Sequence, residues 1–202
     1  LRVQFTETMW ESLAWRKATW LGVPVDRLPS DLILYQEILH KVRPDWVFVL
    51  GPGPSGRTLF VASVLDLLDN GKVLAIGSSD DPVEHDRVVN VRGGPISEPT
   101  LEKVRSIVGS EEPHGLLILG GRQTLPRTLV EFDTYTPFVS VGSYAIIEET
   151  IVNGHPVWPT FGGGPMEAAK RIINRRGAFG PDADMEKFGV TFNPNGFLKR
   201  LR

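Results

Sequence analysis

Short apolar runs alternate along the chain with longer segments of helical periodicity. Residues 46–50 (WVFVL) form an uninterrupted apolar run that stops at Gly51, which is typical of a strand buried on both faces in a parallel sheet. Residues 32–42 carry apolar side chains at helical spacing behind a Pro29-Ser30-Asp31 cap. The same alternation predicts further helices at 57–69, 99–108, 125–135 and 165–175, and further strands at 72–76, 116–119 and 144–147.

The last part of the chain predicts two more strands, 188–192 and 197–201, because the tetrad NPNG between them has the chemistry of a hairpin turn. Strand–helix alternation followed by a hairpin predicts an α/β fold with a doubly wound, Rossmann-like sheet and an antiparallel C-terminal edge. We expect an N-terminal helical segment or lid over residues 1–43 and an α/β domain over residues 44–202. Ligands of such sheets bind outside the carboxyl ends of the strands, so the loops of interest begin at Gly51, Gly77, Gly120 and Glu148.

Composition and charge exclude several classes of partner and site. The 202 residues carry 22 Lys and Arg against 24 Asp and Glu, a formal net charge of −2, so the chain has no electrostatic footprint for nucleic acid or an anionic membrane. The absence of cysteine excludes a disulfide scaffold, an iron–sulfur cluster, a Cys-ligated zinc and a Cys nucleophile. No apolar run approaches the ~20 residues of a membrane span. We expect a cytoplasmic protein that acts on a small molecule.

A glycine-rich loop joins the predicted strand 46–50 to the helix that follows. Residues 51–56 read GPGPSG, a G-x-G-x-x-G whose backbone can turn tightly and approach a nucleotide or amino-acid group at a helix N-terminus. An adenosyl or dinucleotide site also requires an acid at the end of the next strand, where this chain has Gly77 and only later Asp80 and Asp81. The loop therefore either binds a nucleoside or is retained without one. The candidate cofactor contacts are Gly51, Gly53, Gly56 and Asp80.

Two adjacent carboxylates, Glu148 and Glu149, end a predicted strand beside this cleft. Paired carboxylates suit a divalent cation or general acid–base catalysis. The facing loop contributes Arg122, a cation where a metal site requires an anion, so we predict an ion pair from Arg122 to Glu148 or Glu149 and assign no metal ligand. The neighbouring Gln123 is a candidate substrate contact.

The long loop before the helix at 165–175 is a candidate lid or pocket. His155 on this loop is the best general-base candidate of the four histidines, although a structural role is the alternative. Asn153 and Trp158 are candidate substrate contacts on the same loop. The sequence contains no G-x-S-x-G elbow, P-loop lysine motif or H-E-x-x-H, so a triad hydrolase, a P-loop NTPase and a zincin have no support.

Several segments together closely resemble the cephalosporin hydroxylase/rhamnosyl O-methyltransferase family. The resemblance runs from about Thr19 to the end of the sequence, and its C-terminal motifs are specific. It implies a class I S-adenosylmethionine methyltransferase fold, Mg²⁺-assisted O-methylation in natural-product or glycolipid tailoring, and a tendency to oligomerise. The segments that carry it are TWLGVPV (19–25), LPSDL (28–32), YQEI (35–38), VNGHPV (152–157), GPMEA (164–168), EKF (186–188) and TFNP (191–194).

The departures from the family pattern cluster at the cofactor and metal positions. The acid of the family's first motif falls on Val49, and its ribose-binding acid falls on Gly77. Its D-x-D-H motif falls on residues 120–123, which read GGRQ, while its E-D pair survives as Glu148-Glu149. Because the hydrophobic periodicity is intact, we interpret the chain as one that kept the fold and a substrate pocket while methyl transfer was weakened or abandoned.

Three functional hypotheses follow. The first is a repurposed enzyme, independent of S-adenosylmethionine and metal, that cyclises, eliminates from or isomerises a natural-product intermediate. In it Arg122 stabilises an oxyanion, and His155 or one glutamate of the pair moves the proton. The second is a metal-independent O-methyltransferase on a hydroxyl of a sugar or antibiotic, with S-adenosylmethionine as cofactor. The third is a non-catalytic partner of an active paralogue. In each case we expect a homo-oligomer or a complex.

Overall fold

A computed structural model describes residues 1–51, 55–77, 82–109, 112–120, 122–175 and 177–202. None of the helices in these ranges is long and apolar enough to cross a bilayer. The helices are α1 (Arg2–Ser12), α2 (Pro29–Val42), α3 (Ser55–Leu68), α4 (Glu98–Val108), α5 (Leu125–Tyr135) and α6 (Pro165–Asn174). The strands are β1 (Thr19–Trp20), β2 (Val23–Pro24), β3 (Trp46–Leu50), β4 (Lys72–Gly77), β5 (Val88–Arg92), β6 (Gly115–Leu119), β7 (Tyr144–Ile147), β8 (Phe179–Pro181) and β9 (Phe197–Arg200).

Seven strands form one sheet in the order β5-β4-β3-β6-β7-β9-β8. The strands β3 to β7 are parallel, and β9 pairs antiparallel with both β7 and β8. The chain leaves β3 outward through β4 and β5, then crosses to the other side of β3 for β6 and β7. This reversal is the topological switch point of a doubly wound sheet, beside which ligands bind. The predicted fold class, with its antiparallel C-terminal edge, is confirmed.

The core is built on both faces of the sheet because successive side chains of a strand point to opposite faces. On one face Val47 and Val49 of β3 pack with helices α2 and α3. On the other face Phe48 and Leu50 pack with α4, α5 and α6. The helix α2 is therefore part of the main core, and the predicted boundary at residue 43 stays a prediction.

One predicted strand is wrong, and an edge strand of the sheet was not predicted. Residues 188–192 do not form a strand, and β9 pairs instead with β8, which follows α6 in the chain. The segment 188–192 is instead fixed to α2, where the buried Asp31 accepts hydrogen bonds from Thr191 Oγ1 (2.6 Å) and the Phe192 backbone N–H (3.0 Å). The edge strand β5 was not predicted. Its half-exposed sequence VVNVR is too short and too polar to separate from a loop by pattern alone.

The first turn of α3 approaches β2 so closely that only a glycine fits. A Cβ on Gly56 would lie 2.2 Å from the backbone oxygen of Pro24. The third glycine of the G-x-G-x-x-G loop therefore serves helix packing, as it does in related nucleotide-binding loops. The β1–β2 ribbon is held against α3 by this contact and by the hydrogen bond from Trp20 Nε1 to Ser63 Oγ (3.0 Å).

The substitution Gly56→Ala is expected to destabilise the protein by about 2 kcal/mol or more, because the new methyl group must displace backbone rather than a side chain. Gly94→Ala is the matched control, since its added Cβ would meet its nearest neighbour at 3.8 Å, an ordinary contact. Chemical denaturation of both variants measures the difference. Equal midpoints for the two variants would contradict the close packing of α3 on β2.

The burial of Asp31 predicts a pH dependence of stability. Burial raises the pKa of Asp31 from 3.8 to about 7, against the opposing effect of the hydrogen bonds from Thr191 and Phe192. Between about pH 4 and pH 7 the folded state retains a proton that the unfolded chain has lost. The contribution of Asp31 to the free energy of unfolding is therefore complete below pH 4 and decreases by about 1.4 kcal/mol per pH unit as the pH rises through that window.

The isosteric variant Asp31→Asn removes this titration while keeping an acceptor for the Phe192 N–H. We expect the unfolding free energy of the wild type, measured relative to that of Asp31→Asn, to fall between pH 4 and pH 7. Urea titrations at a series of pH values provide the comparison. Parallel curves for the two proteins would mean that Asp31 titrates normally in the folded state.

Candidate active site

A cleft opens at the carboxyl ends of β3, β4 and β5, next to the switch point of the sheet. About 500 Å³ of space, part of it open to solvent, lies between its walls. Gly51 turns the chain out of β3 at φ +94°, a conformation that favours glycine. Gly77 ends β4 without a side chain. The remaining lining residues are Val49, Ser55, Arg57, Thr58, Ala75, Ile76, Pro82, Val83, Asn90, Val91 and Arg92.

The predicted cofactor contacts have different outcomes. Gly51 lines this cleft, and its contact with a cofactor stays a prediction, whereas Gly56 is buried against β2. The predicted contacts Gly53 and Asp80 lie outside the described residues, as does Asp81. The cleft wall itself is mostly apolar, with Ile76, Val83 and Val91 facing the space.

Glu148, directly after β7, is fully buried in a network of charged and polar partners. Arg27 Nε donates to Glu148 Oε1 at 2.9 Å, and Arg27 Nη2 donates to Oε2. Arg57 Nη1 also donates to Oε2, while the Tyr35 hydroxyl donates to Oε1 at 2.7 Å. Each carboxylate oxygen thus accepts two hydrogen bonds, so neither oxygen is free to accept a proton from a substrate, which was the role predicted for Glu148.

Glu149 has a different environment from its neighbour. Its backbone N–H donates to Asn193 Oδ1 at 2.8 Å, which fixes the residue at φ +54°. Arg27 Nη1 contacts its Oε1 at 3.2 Å, and Arg122 Nε lies 2.9 Å from its Oε2. The predicted ion pair of Arg122 is therefore present, and its partner is Glu149.

The two adjacent carboxyl groups have pKa values displaced in opposite directions. Burial tends to raise the pKa of Glu148, but the guanidinium groups of Arg27 and Arg57 outweigh it and hold the pKa at about 2. Burial raises the pKa of Glu149, and the charges of Arg27 and Arg122 only partly oppose it. Glu148 is therefore a permanent anion that serves the ion-pair network.

Gln123 is buried near Gly51 at the end of β3. Neither its side-chain nitrogen nor its oxygen has a hydrogen-bond partner in the described part of the chain. A Cβ on Gly51 would lie 2.9 Å from Gln123 Nε2, so the amide is next to the carboxyl end of β3. An unpaired buried amide costs roughly 1–3 kcal/mol. Gln123 itself is not among the described residues that line the β3–β5 cleft, although its neighbour Gly51 is.

The predicted lid residues form a second cluster at the start of α6. The carboxylate of Glu167 caps this helix by accepting from the Gly164 N–H at 2.7 Å. Asn153 Nδ2 donates to Glu167 Oε1 at 2.9 Å, and His155 Nε2 lies 2.9 Å from the same oxygen. Burial opposes ionisation of Glu167, but these hydrogen bonds, led by that from Gly164, hold its pKa at about 2.

This second cluster faces α1 rather than the cleft of β3–β5. His155 lines a groove with Arg2 and Thr6 of α1, and Trp158 lines another with Trp10. Among the described residues, the lining of the β3–β5 cleft includes neither His155 nor Trp158. The structure thus pairs Arg122 with Glu149, and it brings Asn153 and His155 to the same carboxylate oxygen of Glu167. The roles of His155, Asn153 and Trp158 in catalysis or substrate binding stay predictions.

Sequence reasoning missed Arg27, Arg57 and Tyr35, the partners of Glu148. Arg27, on the loop before α2, lies 121 residues before Glu148 in the chain. Tyr35, on α2, lies 113 residues before it, and Arg57, on α3, lies 91 residues before it. No local spacing relates residues so far apart. The one available signal is electrostatic, since a buried carboxylate must find cations.

A metal does not fit the side chains of this site. In the described ranges no three His, Cys, Asp or Glu side chains come together as a possible metal site. Arg27, Arg57 and Arg122 already form ion pairs with the two glutamates. A divalent cation such as Mg²⁺ requires oxygen ligands and little competing positive charge.

Comparison with known proteins gives the family of the chain. A sequence model of the family "Rhamnosyl O-methyltransferase/CmcI" matches residues 12–201. A rhamnosyl O-methyltransferase of Mycobacterium leprae (strain TN) is 32% identical over 196 residues, covering 94% of this chain and 86% of that protein. A rhamnosyl O-methyltransferase of Mycobacterium tuberculosis (strain ATCC 25618 / H37Rv) is 29% identical over 197 residues, covering 94% and 80%.

Solved structures share the fold. CmcI-N160 in its apo form superposes with a TM-score of 0.68 at 16% identity, covering 93% of this chain and 77% of that one. CmcI-D160 with Mg and SAM gives the same TM-score and identity, covering 93% and 78%. The prediction that no cofactor is needed finds no support in these structures, since CmcI-D160 is described with Mg and SAM and CmcI-N160 is also described with SAH. By the extent of the family match and of the Mycobacterium leprae relative, the chain belongs to the rhamnosyl O-methyltransferase/CmcI family, a methyltransferase family with a Rossmann-like fold.

Proposed function

We propose that the protein is an O-methyltransferase that uses S-adenosylmethionine and acts on a sugar hydroxyl, with rhamnosyl groups of glycosides as the first acceptor class to test. The observation that carries the proposal is the cleft at the carboxyl ends of β3–β5, in a chain related over 94% of its length to a rhamnosyl O-methyltransferase. This is the second of the sequence-based hypotheses. The relatives favour it over the cofactor-independent reaction and over a non-catalytic partner.

The shape and polarity of the cleft suit an adenosyl group. Ile76, Val83 and Val91 supply apolar walls for a base, and Gly51 and Gly77 place no side chain in the cleft. Because Gly77 replaces the acid expected at the end of β4, the described residues provide no carboxylate there for the ribose hydroxyls.

We assign Gln123 to the amino-acid part of the cofactor. Its buried amide has one donor side and one acceptor side, both without partners in the described ranges. The Nε2–H groups can donate to a carboxylate, and Oε1 can accept from an ammonium. Its Nε2 lies next to Gly51, which is one of the residues of the cleft wall.

When bound, S-adenosylmethionine supplies an electrophilic methyl group: the acceptor oxygen forms a C–O bond, the C–S bond breaks with its electron pair kept by sulfur, and the hydroxyl proton passes to a base. The residues of the chain must orient the hydroxyl and accept that proton. Glu149 is the better placed of the two adjacent carboxylates, because its Oε2 accepts no hydrogen bond from the described residues and forms an ion pair with Arg122. His155 is the other candidate base.

Binding of S-adenosylhomocysteine tests the cofactor assignment without requiring an acceptor. We expect a dissociation constant on the order of micromolar by isothermal titration calorimetry. Gly77→Leu should abolish binding, because the leucine side chain would fill the cleft. The fold should tolerate the substitution, since the new Cβ would meet no atom closer than 3.9 Å. Ser106→Leu, which adds the same side chain at an exposed position of α4, should bind normally. Absence of binding to the wild type would overturn the proposal and return attention to the cofactor-independent and non-catalytic hypotheses.

The variants Glu149→Gln and His155→Gln separate the two candidate bases. With a rhamnoside acceptor, we expect loss of the base to lower kcat by about 100-fold or more, and we expect that loss in Glu149→Gln. Affinity for S-adenosylhomocysteine should be retained in both variants. A deficit confined to His155→Gln would assign the proton transfer to His155 instead.

A further inference from the structure

We infer that a cluster of three arginines supplies the positive charge that a divalent cation would otherwise bring to this site, so that the protein works without a metal. The catalytic part of this inference rests on the proposed function, whereas its metal-binding part stands by itself. The cluster consists of Arg27, Arg57 and Arg122 around the carboxylates of Glu148 and Glu149.

The first support is the way the carboxylates are already used. Both oxygens of Glu148 accept hydrogen bonds from the guanidinium groups of Arg27 and Arg57, and the Tyr35 hydroxyl donates a further hydrogen bond. Arg27 reaches across to Glu149 as well. A cation that entered here would have to displace buried guanidinium groups from buried carboxylates, which would leave charges without partners at a cost of several kcal/mol.

The second support is the backbone at Gly120, the position that follows β6. A Cβ on Gly120 would lie 2.7 Å from the Leu50 oxygen and 3.3 Å from the Gly51 Cα. The Gly120 N–H donates to that same Leu50 oxygen at 2.7 Å. The ends of β3 and β6 are therefore closed against each other, and a carboxylate side chain has no room at this position.

The third support is the exposure of Arg122. The three guanidinium groups face three carboxylates, those of Glu148, Glu149 and Asp26, and the Asp26 carboxylate lies 3.8 Å from Arg122 Nη2. Arg27 and Arg57 are buried, but the Arg122 side chain is 32% exposed. Arg122 therefore keeps N–H donors available to a ligand while its Nε is held by Glu149. Arg57 borders the proposed cofactor cleft, so the cluster and the cleft are continuous.

This geometry gives Arg122 a direct task in methyl transfer. An acceptor hydroxyl that accepts a hydrogen bond from the exposed part of the Arg122 guanidinium lies beside the Arg122–Glu149 ion pair, and Glu149 is the carboxylate proposed to take its proton. The negative charge that develops on the oxygen is then stabilised by a fixed cation. S-adenosylmethionine, when bound, would supply the methyl group and keep the electron pair of the broken C–S bond, so the step requires from the chain only a cation beside the oxygen and a base for the proton.

Titration with Mn²⁺ followed by electron paramagnetic resonance tests the metal-binding part on the full chain. We expect no bound Mn²⁺ at submillimolar concentrations, and affinity for S-adenosylhomocysteine that changes less than about twofold between EDTA and excess Mg²⁺. Stoichiometric binding of Mn²⁺ would overturn the inference. This readout does not require cofactor binding, so it separates a failure here from a failure of the proposed function.

The variant Arg122→Ala tests the catalytic part. We expect kcat for the rhamnoside to fall about 100-fold to 1,000-fold, the usual effect of losing one donor to an oxyanion, with partial recovery in Arg122→Lys. Arg105→Ala is the control, because it removes only an exposed ion pair with Glu98. Full turnover by Arg122→Ala, or recovery of its activity by added Mg²⁺, would assign the positive charge to another source.

Discussion

The buried carboxylate of Glu148 is the interaction on which the rest of the site depends. A lone anion at this depth would be strongly unfavourable, and it is tolerated because two guanidinium groups and a tyrosine hydroxyl surround it. These partners come from the loop before α2, from α2 itself and from α3. One side chain at the end of β7 thus fastens three distant parts of the chain to the carboxyl edge of the sheet, and Glu149 takes its position from that arrangement.

Most of the fold could be predicted because its signals are local. The helix Leu125–Tyr135 and the strand Tyr144–Ile147 have the predicted limits, since each is bounded by residues that end the apolar pattern. The C-terminal edge was harder to predict. Residues 188–192 have a strand-like composition, yet the buried Asp31, 160 residues away from Thr191 in the chain, takes their hydrogen bonds. Long-range competition of this kind has no local signature.

The candidate site was predictable where it depends on topology and not where it depends on partners. The pairing of Arg122 with Glu149 follows from the loops after β6 and β7, which meet because the strands are adjacent and parallel. The roles of Arg27 and Arg57 could not be read from their neighbours in the sequence. The glycine motif misled at Gly56, since the spacing is the same whether the missing side chain serves a ligand or the β1–β2 ribbon.

The position of β9 between β7 and β8 has a consequence for how the protein is made. Synthesis delivers β8 before β9, although β8 pairs with β9. Until β9 emerges, β7 presents an unpaired edge of the kind that recruits other chains. The turn just before β9 also brings Asn193, which anchors the backbone of Glu149. A nascent chain that has emerged only as far as β8 therefore has an incomplete sheet and an incomplete site. Residues 193–200, which contain Asn193 and β9, complete both.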